Sequence, residues 1–272
     1  MMKHPYLPSV FPKVAAMCAV VGAALTSFSS QATAKDVRIA VPVLSGHFNE
    51  QGDGRSKAAL DAIFKECGDK ATFISYRWGQ HWQMFEDNSD IDAVAIVWDD
   101  AGVSGFPSDD FIHQKNGVAF RADKNFDIKT PEDLAGLRVL GFGGATRMFP
   151  SLAVALPTVK SYWEAPPGFG TTLALVNDNV DVFITDGLIF AIDYMERAEK
   201  TGDTYGSKLW PRMSFVGLFP ENGDKMHFRR KDDRDAFNKC LKTAQDNGAI
   251  ASATAPYVEP YRAIVGDQVP KQ

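Results

Sequence analysis

The chain has 272 residues, long for one ordinary domain and enough for two lobes. It is 45% hydrophobic, 23% charged and 11% aromatic, values near the globular average that exclude collagen, coiled coil and disorder. With 29 basic against 34 acidic residues the net charge is −5 and there is no basic cluster, so nucleic acid and anionic membrane surfaces are poor partners. Three cysteines are too few for a disulfide-framework miniprotein or a zinc-ribbon array.

The N-terminus has the features of an export signal. Lys3 and Lys13 make a basic start, residues 14–28 carry no charge, and Ala32-Thr33-Ala34 is the small-x-small pattern that signal peptidase reads. The apolar run is shorter than the ~20 residues of a spanning helix. Cys18 follows Met17, whereas a lipoprotein signal has a small residue before its cysteine. Residues 1–34 are therefore expected to be a removed signal peptide. The mature chain starts at Lys35, with 27 basic against 34 acidic residues and a net charge of −7. The expected location is the periplasm.

Strands and helices alternate in the mature chain. Residues 37–41 read as a strand and 44–54 as a loop. Residues 56–67 place Ala59, Leu60, Ile63, Phe64 and Cys67 on one helical face, with Gly68 as the stop. A strand at 72–76 and a short helix at 79–86 follow. Residues 93–98 are continuously apolar, as in a strand buried on both faces. A strand at 118–121 precedes a polar break at 122–129. Thr130-Pro131-Glu132-Asp133 then has the cap, proline and acids of a helix start. Further strands are expected at 138–142, 180–184, 213–219 and 226–228. Helices are expected after Thr146 and at 171–177, 188–198 and 232–246, the last ended by Asn247-Gly248. A second break falls between 213 and 224. This is α/β architecture with two strand–helix series. Cys67 and Cys240 could pair in an oxidising compartment or remain two buried thiols.

From residue 111 onward the order of features resembles a type II periplasmic solute-binding protein, the polar-amino-acid branch (family 3) of ABC transporter binding proteins. Residues 130–141 are similar to that family's entry into lobe 2. Gly143-Gly144-Ala145-Thr146 stands where the family has a Gly-Thr helix start facing the cleft. Residues 179–186 resemble its strand ending in an inward aspartate, and residues 231–250 its return helix in lobe 1. The resemblance implies two lobes, each a mixed sheet flanked by helices, joined by two crossovers. Lobe 1 would be 35–121 and 220–272, and lobe 2 would be 122–219. It also implies a monomer without cofactor that binds a small molecule and serves the membrane permease of an ABC transporter. A Cys67–Cys240 bridge within lobe 1 follows from the same topology. Two other roles fit the scaffold: a periplasmic sensor or redox partner docking a receptor or dehydrogenase, and a dehydratase-type enzyme.

Strand C-termini and helix N-termini face the cleft of such folds. Trp98 and Asp99, Thr146 and Arg147, and Asp186 occupy those positions, with Phe48 and Trp78 as aromatic candidates for stacking on a ligand or cation. The amides near Thr146 could hold an anion and Arg147 a carboxylate; Arg147 could equally be a solvated helix residue. Asp99 could instead belong to a turn. Asp186 could bind an ammonium or cap the next helix. The family's carboxylate-clamping arginine is replaced by Trp98-Asp99-Asp100, which favours an amine-bearing or zwitterionic ligand anchored on Asp186. For an enzyme, Asp186 or His47 would be the acid–base candidates. No metal site is expected: the histidines are scattered, and the loop at Asn49-Glu50-Gln51-Gly52-Asp53-Gly54 has Leu60 where a calcium loop has its twelfth-position acid. There is no phosphate loop and no serine-hydrolase elbow.

Overall fold

The computed structural model describes Met1 and residues 34–166 and 169–270. The expected signal peptide lies outside the described residues, apart from its two end positions. No described helix is long and apolar enough to cross a membrane.

The first sheet is seeded by β1 (Asp36–Pro42), followed by α1 (Arg55–Cys67), β2 (Lys70–Tyr76), α2 (Gln80–Asp87) and β3 (Ala93–Val97). β1 pairs in parallel with both β2 and β3, and every residue of β3 is buried, as its unbroken apolar run requires. In α1 the buried face is Ala59, Leu60, Ile63 and Phe64. Gly68 ends the helix at φ 70°, a left-handed conformation that costs glycine least. Each fully buried leucine, isoleucine or phenylalanine in this core stabilises by ~1.5–3 kcal/mol. Short strands β4 (Phe106–Pro107) and β5 (Ile112–Gln114) complete this run.

The second sheet begins with β6 (Asn116–Arg121) and β7 (Arg138–Phe142). It continues through α3 (Ala145–Met148), α4 (Pro150–Ala155), β8 (Ser161–Ala165), α5 (Phe169–Val176), β9 (Val182–Asp186), α6 (Gly187–Lys200) and β10 (Met213–Gly217). The chain then returns through β11 (Asn222–Phe228), α7 (Lys231–Asp246), α8 (Ala249–Thr254) and α9 (Arg262–Val265). Strand order is β2-β1-β3-β11-β4, with β5 on β11, in the first sheet, and β10-β6-β9-β7-β8 in the second. Both sheets mix parallel and antiparallel pairs.

Three details correct the expected boundaries. β6 pairs antiparallel with β9 and β10, so the outward crossover lies near residue 115 rather than at 121/122. The C-terminal tail does not stay in lobe 1. Val258, Ile264 and Val265 pack with Leu188, Ile192 and Phe215 of lobe 2, and a third passage between the lobes follows Thr254. The helix expected from Thr130 is one 3-10 turn, Pro131–Leu134, closed by the Thr130/Asp133 capping box; Gly136 at φ 74° then turns the chain into β7.

A disulfide joins Cys67, the last residue of α1, to Cys240 on α7, with the Cα atoms 5.4 Å apart and a sequence separation of 173. In the loop-entropy view such a bridge removes much of the unfolded chain's freedom, with a ceiling of ~5 kcal/mol. Replacing both cysteines by serine should lower unfolding stability by ~2–4 kcal/mol. Denaturant titration of the double variant checks this, and an unchanged midpoint would refute it.

Candidate functional site

A cavity of about 370 Å³ lies between the two sheets. Strand ends from both lobes reach it, together with the loop after β1 and one face of α6. Trp98 follows β3 directly. Ile96, two residues earlier, has φ 59°, the left-handed region that a β-branched residue rarely adopts. It lies opposite the register shift between Lys225 and His227 on β11. Bulges of this kind bend a strand and re-aim the side chains beyond them. Trp98 stacks on Trp78 at 6.0 Å and 14°, and meets the edge of Trp82 at 4.7 Å. Trp82 is fixed in turn by its indole N–H, which donates to the Ile96 carbonyl at 3.2 Å. Trp78 and Trp98 line the cavity, as do Phe142, Phe183 and Phe190 of the other lobe.

Asp186 ends β9 and lines the cavity while only 2% exposed. Its carboxylate accepts from the Ile189 amide at 2.9 Å, capping α6, and from the Lys115 amide at 2.8 Å. Both sequence readings of this residue, helix cap and cleft carboxylate, therefore describe the same side chain. Burial pushes its carboxyl above the usual range, opposed by Arg55 and by the amides of Ile189 and Lys115.

The other candidates are placed differently. Phe48 is fully buried in the lobe 1 core against Phe73 and does not line the cavity. Asp99 is highly exposed and pairs with Lys225. Arg147 lies outside the lining and stacks over the Trp98 ring at 5.6 Å. The amides near Thr146 are already taken. Glu164 on β8 accepts from Gly144 N at 2.7 Å, Thr146 N at 2.9 Å, Thr146 Oγ1 at 2.8 Å and the Tyr162 hydroxyl at 2.8 Å. Burial works against ionisation of Glu164, but these donors outweigh it and hold its carboxyl below the usual range. The anion place expected at that helix start is thus filled by the protein's own carboxylate. His47 hydrogen-bonds Ser56 at 2.6 Å in the core, held neutral by burial and by the Arg55 charge, and does not line the cavity.

No family model matches the chain, and no curated protein matches its sequence. Solved structures do match its shape. An ancestral arginine-binding protein bound to glutamine superposes with a TM-score of 0.63 at 18% identity, over 82% of this chain and 97% of that one. An ancestral amino-acid-binding protein described as a precursor of cyclohexadienyl dehydratase gives 0.61 at 16%, over 82% and 95%. The substrate-binding protein of an ABC uptake transporter from Streptococcus pneumoniae with bound histidine gives 0.61 at 14%, over 87% and 95%. The fold is that of a type II solute-binding protein.

Within this binding-protein fold, residues that the sequence reading passed over build the floor of the cleft. Gln114 and Asn116, either side of the outward crossover, line the cavity. Asn116 Nδ2 donates to Asn222 Oδ1 at 2.6 Å, tying the outward strand to the returning one. Beneath them Arg55 is 1% exposed and donates to the His113 carbonyl at 2.6 Å, with its charge acting on Asp186 and Asp224. Asp224 accepts from Gln114 Nε2 at 2.6 Å. Burial pushes its carboxyl up to about 7; Gln114 and Arg55 oppose this, and the charges of Asp186 and Asp110 add to it. Asp193 on α6 faces the cavity and accepts from Ser45 Oγ across the cleft at 3.0 Å, from Thr172 and from Arg197 Nε at 2.7 Å.

Two expectations follow. Against its ordinary value of 3.8, a carboxyl raised to about 7 on folding binds more protons in the folded than the unfolded state between those values. Stability from this group is therefore lost as pH rises through that window. Asp224→Asn should raise stability by ~1–3 kcal/mol near pH 8 and change it little near pH 4. Urea unfolding at the two pH values decides, and an equal effect at both would refute the assignment. Ser45→Ala removes the hydrogen bond to the Asp193 carboxylate that links the two lobes across the cleft. It should weaken ligand binding by roughly 5- to 30-fold through faster release. Stopped-flow dissociation checks this; an unchanged off-rate would show that the bond does not hold the cleft shut.

Proposed function

We propose that this chain is a periplasmic solute-binding protein that captures a small amine-bearing solute between its lobes and delivers it to the permease of an ABC transporter. One observation carries the reading: the buried Asp186 carboxylate lines a cavity that aromatic rings also line, and among the described residues no basic side chain forms an ion pair with it. Of the charged residues lining the cavity, Glu50, Asp186, Asp193 and Glu196 are acids, and only Arg197 and Lys200 are bases. A cleft with excess negative charge and an indole wall favours a cation. Structural neighbours that bind amino acids, one of them for an ABC uptake transporter, support the same reading.

The dehydratase role draws on the ancestral neighbour alone. Acid–base chemistry needs a tuned donor within reach of the substrate. His47 is turned into the core, which leaves Asp186, its carboxylate held by the Ile189 and Lys115 amides, as the acid–base candidate at the cavity wall.

A thermal-shift screen of amines, amino acids, osmolytes and carboxylates on the mature protein identifies the ligand class; saturation at about 100 times Kd adds ~2.7 kcal/mol of stability. Asp186→Asn should then weaken the best ligand by ~30-fold or more, since a desolvated charge pair is worth ~2–5 kcal/mol. The amide oxygen can still accept from Ile189 N while the bond to Lys115 N is lost, so thermal unfolding of the variant checks that the fold persists. Wild-type affinity in the variant, or a dianion as the best ligand, would overturn the proposal.

A further inference from the structure

The cavity is long, and its charges are ordered along α6. Asp186, Ile189, Phe190, Glu196 and Lys200 all line it. At 1.5 Å of rise per residue, Asp186 and Glu196 are about 15 Å apart along the helix axis. Helical side chains lean toward the N-terminus, so the Glu196 carboxylate comes back toward Asp186 and the two charges are on the order of 10 Å apart. Between them the helix contributes Ile189, Phe190 and Asp193, the last already held by Arg197 and by Ser45 of the other lobe, and Trp98 and Phe142 supply further apolar lining.

Charge bookkeeping along the lining is unambiguous. Asp193 and Arg197 pair at 2.7 Å and neutralise each other. Asp186, Glu50 and Glu196 then face Lys200 alone, two acids in excess. No described residue donates a hydrogen bond to the Glu196 carboxylate, and burial raises its carboxyl above the usual range, opposed by Lys200 and Arg197. Near Asp186 the receptors for a carboxylate are spent: Glu164 fills the amides of Gly144 and Thr146, and Arg147 is stacked on Trp98 outside the lining. An α-amino acid would place its carboxylate beside its amine with no basic partner there. A second amine at the far end meets Glu196.

We propose that the preferred ligand is an elongated diamine without a carboxylate, one ammonium on Asp186 and the other on Glu196, its methylenes against Trp98, Phe142 and Phe190. This rests on Asp186 taking the first ammonium. Calorimetry on the mature protein with diaminooctane, its mono-N-acetyl derivative and lysine tests it. The acetyl group keeps the length and removes the second charge. Diaminooctane should bind at least about tenfold tighter than the acetylated amine and tighter than lysine. Glu196→Gln should shrink the ratio of the two amines to about 1–3, with thermal unfolding confirming the fold. Equal affinities for the pair, an unshrunken ratio in Glu196→Gln, or tighter binding of lysine would each overturn the diamine assignment. If the acetylated amine binds in an Asp186-dependent way and diaminooctane is no better, the amine reading of the cleft survives and this one falls. If no amine binds, both fall.

Discussion

Buried charge at the junction of the lobes is the constraint on which the molecule depends. Asp186, Arg55 and Asp224 are each at most 2% exposed, and moving even one such charge out of water costs several kcal/mol unless its surroundings compensate. Compensation comes from both sides of the cleft. The Lys115 amide, at the outward crossover, and the Ile189 amide, in the first turn of α6, hold the Asp186 carboxylate. Gln114 holds Asp224, and Asn116 grips Asn222 on the returning strand. The crossover strands thus carry their polar side chains inward because the charges beneath need them. In consequence the floor of the cavity is also its hinge.

Around that floor the two lobes contribute unlike walls. Lobe 1 offers indoles, aligned by a bulged strand end whose left-handed Ile96 stores roughly 1–2 kcal/mol of backbone strain. The disulfide between α1 and α7 braces the core behind them. Lobe 2 offers a helix, α6, whose polar and apolar groups run in a row along the cleft. The short α3 contributes little to the lining because Glu164 has closed off its N-terminal amides.

Much of this was legible in the sequence. The apolar run at 93–97, the Ala59/Leu60/Ile63/Phe64 face and the Gly68 stop fixed the first lobe, since burial and helix termination leave local marks. The two-series α/β pattern also came through. The strand expected at 118–121 is present as β6, but its place in the second sheet was not legible, because Val118 and Phe120 would suit either sheet and only pairing with β9 and β10 assigns it. β8 was missed because it is an edge strand with an exposed Trp163 and no alternating pattern. At the site, Trp98 and Asp186, picked out by strand-end reasoning, and Trp78, picked out as an aromatic candidate, line the cavity. Phe48 and Thr146 do not reach the cavity: one is consumed by the core and the other by Glu164, and both partners are distant in sequence. Arg55 and Asp193 carry meaning only through contacts across the lobes, which periodicity cannot display.

The tail beyond Thr254 has a consequence for the energetics of capture. A two-lobed receptor joined by two strands samples a broad family of open arrangements, and each binding event must discard that freedom. Here the chain passes between the lobes a third time and anchors Val258, Ile264 and Val265 in the far core. Three tethers restrict the relative motion toward a single swing. Less entropy is then surrendered on closure, so more of the contact energy between solute and cleft emerges as affinity.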